Sequence, residues 1–276
     1  MRDYRTLGCL TVLAAGLLTH AHAFAGDAAW CEQEWLKQSA EYADRDVPDY
    51  RGLLSNWQQY AKQCSGTVAY EARLAFVYVQ LDELDQARKA LSGVTTASKY
   101  QYLVDLVQAL TEGKRLLLDK TVSEPDLQEL DRRFMGIVEK YPGHPESYAL
   151  LGVVESELGR HDAAIRLYEV ALEGSRGTQK WGLYRNLTIS YAEAERYQAA
   201  YDAAGRTMAL RKSVTDDKYF VYAVAKAEAG LGKFADAQLA LRLIAAKDPS
   251  VKQDPDFLQT VDFVFDRMKA DQKGTR

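Results

Sequence analysis

The sequence predicts an all-α protein, a solenoid of about five to six helix pairs closed by a C-terminal capping helix. Two observations predict it. Apolar residues recur with helical spacing along most of the chain. Small residues also return at fixed positions, with a period close to that of known helical repeats. No stretch alternates long enough to predict a sheet, and the 276 residues can bury a large core.

The segment from 148 to 172 illustrates one helix pair. Helical spacing relates its apolar residues Tyr148, Leu151, Val154 and Leu158. The run breaks at Gly159, and a second helix begins near Asp162. Gly152 and Ala164 stand between larger side chains, where a small residue lets two antiparallel backbones approach closely.

The same pattern returns further along the chain. Segments beginning at Pro145, Trp181 and Lys218 can be aligned without gaps over both helices. The twentieth position of each segment is alanine, namely Ala164, Ala200 and Ala237. A fixed small residue in a repeating unit predicts identical close contacts in successive pairs.

These positions resemble the tetratricopeptide repeat (TPR) family. The family pattern is matched in the segment from Pro145 by Tyr148, Leu151, Gly152, Ala164, Tyr168 and Ala171. Glu155 departs from it, because the family carries a large residue there. The resemblance implies a right-handed superhelix in which the first helix of each pair lines a concave wall.

The repeat pattern divides the chain into successive units. We interpret residues 114–124 as an insertion in the unit at 97–143, either a longer helix or a loop. The final unit has one apolar stripe, including Phe265, for the last repeat and one polar face for water. The predicted units are a degenerate N-terminal pair at 26–66, repeats at 67–96, 97–143, 144–177, 178–213 and 214–248, and the capping helix at 249–276.

The first 25 residues are typical of a cleaved signal peptide. Arg2 and Arg5 precede an apolar run at 7–18, which is too short to span a bilayer. Small-residue cleavage motifs end at Ala23 and Ala25. We therefore expect an exported protein, and this compact leader favours the bacterial periplasm.

Two cysteines remain after such cleavage, Cys31 and Cys64. They fall at the start of the first predicted helix and the end of the second, which lie at the same end of an antiparallel pair. An even number in an oxidising compartment predicts a disulfide. Two buried free thiols are the alternative.

No catalytic or metal-binding pattern accompanies the repeats. His144 and His161 stand at turns between helices, and no nucleophile motif or phosphate-binding loop is present. We therefore predict no enzyme activity, no cofactor and no metal. The net charge of −4 argues against nucleic-acid binding, and the acidic polar face of the last helix argues against stable membrane insertion.

The concave wall is the remaining candidate for a site. In the family its lining comes from positions 2, 5, 9 and 12 of each first helix, which are here mostly apolar or aromatic. The Lys and Asn clamp for a C-terminal carboxylate is absent, since Ala149 and Val153 occupy its positions. Packing between helices is the alternative role for these side chains. The predicted partner contacts are Phe76, Tyr100, Arg185, Ile189, Tyr219, Tyr222 and Lys226.

The sequence thus favours a non-catalytic scaffold or adaptor of the cell envelope. Its expected partner is another envelope protein or a peptide segment, and its expected state is a monomer or weak dimer. An immunity or inhibitor protein is the alternative, in which residues 114–124 would supply a plug against a toxin or hydrolase.

Overall fold

The structure is a computed structural model, and it confirms the all-α prediction. The described residues contain fourteen α-helices, two short 3-10 helices and no strand. The predicted signal peptide and Tyr100 lie outside the described residues. Those described are 27–42, 49–64, 68–92, 94, 101–118, 122–175 and 180–274.

The helices form six consecutive pairs followed by a single helix. In chain order they are α1 (Asp27–Tyr42), α2 (Tyr50–Gln59), α3 (Ala61–Cys64), α4 (Val68–Gln80), α5 (Leu84–Ser92), α6 (Gln101–Leu118), α7 (Glu124–Lys140), α8 (Pro145–Glu157), α9 (His161–Gly174), α10 (Lys180–Glu193), α11 (Tyr197–Leu210), α12 (Lys218–Gly230), α13 (Phe234–Lys247) and α14 (Pro255–Gly274). In the first pair the second member is split into two helices, α2 and α3.

Each first helix contacts both its own partner and the next pair. Helix α10 packs on α11 and also on α12, the first helix of the following pair. Helix α14 packs on α12 and α13 in the same way, so it takes the place of the first helix of a further pair. It begins at Pro255, as the Asp-Pro sequence predicts.

Small residues do allow the helices of a pair to nest. A Cβ atom on Gly152 of α8 would lie 2.7 Å from Cε1 of Tyr168 on α9. Ala164 of α9 is fully buried. A Cβ on Gly230 of α12 would likewise overlap the ring of Tyr197 on α11. The close approach inferred from the sequence is therefore present both within and between pairs.

Four of the turns inside the pairs share one backbone conformation. Gly159 and Gly232 have φ of +76°, and Asp82 and Glu195 occupy the same place in other pairs with φ of 61° and 58°. Left-handed backbone suits glycine best, because glycine has no Cβ to clash. The shared conformation gives successive pairs the same sharp reversal.

The predicted insertion is partly helical. Helix α6 runs to Leu118, so residues 114–118 extend a helix, whereas residues 119–121 lie outside the described part of the chain. Helix α7 then starts with a capping box, in which Ser123 and Asp126 each bond the backbone N–H of the other. The start of the second helix of this pair is therefore encoded locally.

The N-terminal pair is held by the predicted disulfide. Cys31 and Cys64 are bonded, with their Cα atoms 6.0 Å apart. Trp35 and Trp57 meet edge to face beside the bridge, with ring centroids 4.8 Å apart. The second helix of this pair is broken at Tyr60 into α2 and α3.

Candidate binding surface

The structure brings five of the predicted contact residues together on two adjoining first helices. Arg185 and Ile189 lie on α10, and Tyr219, Tyr222 and Lys226 lie on α12. We call the face formed by these five residues the inner wall. The two helices pack directly on one another.

The other two predicted contact residues stand apart from the inner wall. Phe76 lies on α4, near the N-terminal end, where it is buried in the core. Tyr100 is not among the described residues, so its place on the wall stays a prediction.

Most inner-wall side chains are buried. Arg185 is 3% exposed and Lys226 is 8% exposed, and both Ile189 and Tyr222 are buried as well. Tyr219 is half-buried and keeps part of its surface accessible. Tyr219 is therefore the member of the wall best placed to touch another molecule.

The buried charges of the wall are paired across consecutive repeats. Nη2 of Arg185 lies 2.6 Å from Oδ2 of Asp217, which caps the next first helix. Nζ of Lys226 lies 2.8 Å from Oε1 of Glu193. We call these cross-repeat polar contacts the inter-repeat ladder. They join each repeat to the next, which fixes the relative position of the first helices.

The ladder continues on both sides of the inner wall. Each contact spans about one repeat in sequence, as expected when equivalent positions of successive repeats meet. Its other members are Asp82 with Lys114 at 2.6 Å, Ser156 with Ser190 at 3.3 Å, and Asp254 with Lys218 at 2.7 Å.

Asp254 accepts hydrogen bonds from two side chains of α12. Tyr222 donates its hydroxyl to Oδ2 at 3.3 Å, and Lys218 donates to the same oxygen. Burial, and then the Asp254 carboxylate, raise the pKa of Tyr222. Burial lowers the pKa of Lys218, but the hydrogen bond and charge of Asp254 together with Tyr219 outweigh burial, so the pKa of Lys218 is raised. Both groups therefore hold their protons at neutral pH.

Two glutamates, Glu146, which is buried, and Glu228, which is half-buried, have strongly raised pKa values. Burial raises the pKa of Glu146 on α8 to about 7, although Tyr102 donates a hydrogen bond to it at 3.3 Å. Burial, and then the charge of Asp236, raise the pKa of Glu228 on α12 to about 7. Perturbed acids mark catalytic sites in some proteins, but such pairs also arise from packing. These two lie on different first helices, two repeats apart.

The histidines take part in local packing. The ring of His144 stacks on Tyr102 with centroids 3.5 Å apart. Nδ1 of His161 lies 3.5 Å from Oγ of Ser156, at the long limit for a hydrogen bond. In the described part of the chain no group of three or more His, Cys, Asp or Glu could hold a metal ion. No helix among the described residues is long and apolar enough to cross a membrane.

The last helix caps the stack as predicted, but part of its apolar stripe stays exposed. Leu258 is 50% exposed and Phe265 is 42% exposed on α14, although Phe265 lies at the edge of a groove against Leu241 and Ala245 of the last repeat. The reason is that no further helix of the described chain covers this side of α14. A groove of about 380 Å³ opens here between α13 and α14. We call it the end groove.

Comparison with known proteins supports the fold and leaves the family open. No family model matches the chain, and no curated protein matches it. A solved chain is similar, from the crystal structure of the APC/C hetero-tetramer Cut9-Hcn1, with a TM-score of 0.60 and 14% identity. The match covers 95% of this chain and 47% of the other, so this chain spans about half its length. The fold is a right-handed TPR-like superhelical solenoid with a terminal single helix.

Proposed function

We propose that this protein is a non-catalytic interaction scaffold of the cell envelope, exported to the periplasm, which binds another envelope protein or a peptide segment on its inner wall. The observation that carries the proposal is the inter-repeat ladder on a TPR-like stack. It holds aromatic and polar groups of consecutive first helices at fixed places on one face. A preorganised surface binds at a lower entropic cost than a mobile one.

Tyr219 is the proposed anchor of this surface. Its ring packs edge to face on Tyr222, with centroids 6.0 Å apart, and Nζ of Lys218 lies 4.7 Å from its centroid. Tyrosine contributes strongly to interfaces, because it buries a large rigid surface and keeps a polar tip. Asp217, which accepts a hydrogen bond from the backbone N–H of Tyr219, leaves part of its carboxylate exposed. A partner segment with one large apolar side chain and flanking polar groups suits this edge of the wall.

A matched pair of tyrosine variants tests the location. Tyr219→Ala removes the proposed anchor, and Tyr201→Ala removes a half-buried tyrosine from α11, a second helix, where Nζ of Lys233 lies 3.6 Å from the ring centroid. Each tyrosine carries one lysine over its ring, so both changes remove similar contacts within the chain. Arg185 and Tyr222 are unsuitable, because their loss would disturb the ladder itself.

The measurement is quantitative affinity capture from an envelope extract of the native host, with thermal unfolding of each variant as the check on folding. We expect Tyr219→Ala to lose about tenfold or more of the captured partner while Tyr201→Ala retains it. If only Tyr201→Ala loses the captured partner, the proposed binding on the inner wall is contradicted. If the captured partner is a toxin or hydrolase whose activity falls on binding, the protein is an inhibitor and not a scaffold.

The proposed location has a separate test. Cell fractionation should recover the protein from the periplasm, and N-terminal sequencing should find a chain that begins at Phe24 or Gly26. Recovery of the uncleaved chain from the cytoplasm contradicts export. This result is independent of the capture experiment.

A further inference from the structure

The end groove is an apolar slot between the last two helices. Its volume of about 380 Å³ exceeds the roughly 150 Å³ that holds a benzene molecule, so it has room for more than one large side chain. Its apolar lining consists of Leu241, Ala245, Phe257, Val261, Val264 and Phe265.

Helix α14 also presents apolar side chains outward from the edge of this groove. Leu258 and Phe265 are seven residues apart, so they fall on one side of the helix two turns from each other. Both are about half exposed. Side chains with this spacing are typical of a helix that inserts into an apolar groove.

The charges at this end are of opposite sign on the two sides. Arg242 and Lys252 line the groove, are exposed, and have no ion pair among the described residues. Asp262 on α14 is also exposed and unpaired within the described chain, and Asp266 pairs only with Lys269 at 3.6 Å. The groove therefore has a basic rim, and the part of α14 next to Leu258 and Phe265 carries the carboxylates of Asp262 and Asp266, with Lys269 one turn further on.

We propose that the end groove binds the α14 helix of a second copy of this chain, which makes a two-fold symmetric dimer. In such an isologous interface the groove of each copy receives Leu258 of the other, and the exposed part of Phe265 at the groove edge packs against the partner copy's α14. The basic rim at Arg242 and Lys252 then faces Asp262 and Asp266 of the partner copy. The same surface of one copy carries both the groove with its basic rim and the exposed side of α14. An isologous interface requires such a self-complementary surface.

The position of α14 in the stack supports this arrangement. Helix α14 occupies the place of a first helix, and in the preceding pairs a first helix is covered by an antiparallel second helix. A two-fold axis perpendicular to α14 places the second copy's α14 antiparallel to it. The second copy's α14 thus covers α14 in the same antiparallel direction as the second helix of a pair covers its first helix.

Sedimentation velocity of the purified protein between about 1 and about 100 µM tests the dimer. We expect a mass that rises with concentration to twice that of the chain. Leu258→Asp and Phe265→Asp should each weaken self-association by about tenfold or more, because each places a charge in the apolar contact. Both residues are exposed, and far-ultraviolet circular dichroism checks that the variants fold.

The matched control is Val170→Asp, at an apolar residue of α9 that is 45% exposed and remote from this end. It should leave the dissociation constant unchanged. A wild-type protein that stays monomeric across this range overturns the proposal. A dimer that survives both α14 variants overturns it as well.

A charge exchange distinguishes this interface from any other self-association. One variant carries Arg242→Glu and Lys252→Glu, and a second carries Asp262→Lys and Asp266→Lys. Each alone should dimerise more weakly than the wild type, because like charges then face one another. Mixed together they should form a heterodimer at least about tenfold tighter than either homodimer. A mixture no tighter than its components contradicts the proposed pairing.

Discussion

Gly152→Ala perturbs the contact on which the nesting of helices depends. The new methyl would lie 2.7 Å from Cε1 and 2.9 Å from Cδ1 of Tyr168, closer than carbon atoms normally approach. Tyr168 is fully buried, so its ring has no free space to occupy. Overpacking of this kind costs about 1–3 kcal/mol. The higher helix propensity of alanine returns about 1 kcal/mol. We expect a net loss of up to about 2 kcal/mol in the free energy of unfolding.

Gly205→Ala is the matched control. Gly205 is also inside a helix, but a Cβ added there meets no other atom within 4 Å. That variant should gain about 0.5–1 kcal/mol, since it removes glycine's flexibility without a clash. Urea unfolding followed by circular dichroism measures both variants with one protocol. The two changes are chemically identical, so their opposite signs report the environment alone.

A second substitution tests the cause of the loss. Tyr168→Leu removes the ring, so the added methyl of Gly152→Ala should cost less in its presence. The double-mutant cycle should show a coupling of about 1 kcal/mol or more between the two sites. A Gly152→Ala variant that gains stability as Gly205→Ala does would refute the inference that Gly152 is needed for close helix packing. A double-mutant cycle without coupling would refute it as well.

The other predictions concern a buried acid, the disulfide and a buried ion pair. The pKa of Glu146 is about 7 in the folded protein and ordinarily 4.5. The folded state therefore binds the extra proton, and unfolding free energy falls as pH rises from about 4.5 to about 7. Glu146→Gln should remove up to about 3 kcal/mol of this fall between urea titrations at pH 5 and pH 8; an unchanged pH dependence contradicts it. Replacing Cys31 and Cys64 by serine should cost about 3–4 kcal/mol in the same assay, matched by reduction of the wild type, and an equal midpoint would count against it. Arg73→Met leaves the buried Glu32 carboxylate without its ion-pair partner and should cost about 3–5 kcal/mol, which a further Glu32→Leu should largely restore; a single change without effect contradicts this.

Local spacing was enough to predict the architecture. The alanines at 164, 200 and 237 are each fully buried by packing within the stack, so their period is visible in the sequence. The cysteine pair was predictable for the same reason, since both ends of one helix pair lie together.

The inter-repeat ladder was not predicted, because its partners lie a full repeat apart. Arg185 and Lys226 looked like free charges on a wall, and only the stacking of repeats brings Asp217 and Glu193 to them. A search for acids one repeat away from each buried-face cation would have found them.

Which side chains of the first helices are buried also could not be predicted from the sequence pattern. An apolar residue such as Ile189 has the same helical spacing whether it lines an open groove or packs under a neighbouring helix. Phe265 shows the reverse case, since its apolar character predicted burial where the described chain provides no covering helix.

Site-specific photo-crosslinking in the native host tests the proposed binding surface most directly. A photoreactive phenylalanine replaces Tyr219 on the inner wall in one strain and Tyr201 on α11 in another. We expect one discrete adduct with a second envelope protein from position 219 and none from position 201. An adduct from position 201 without one from position 219 would contradict binding on the inner wall.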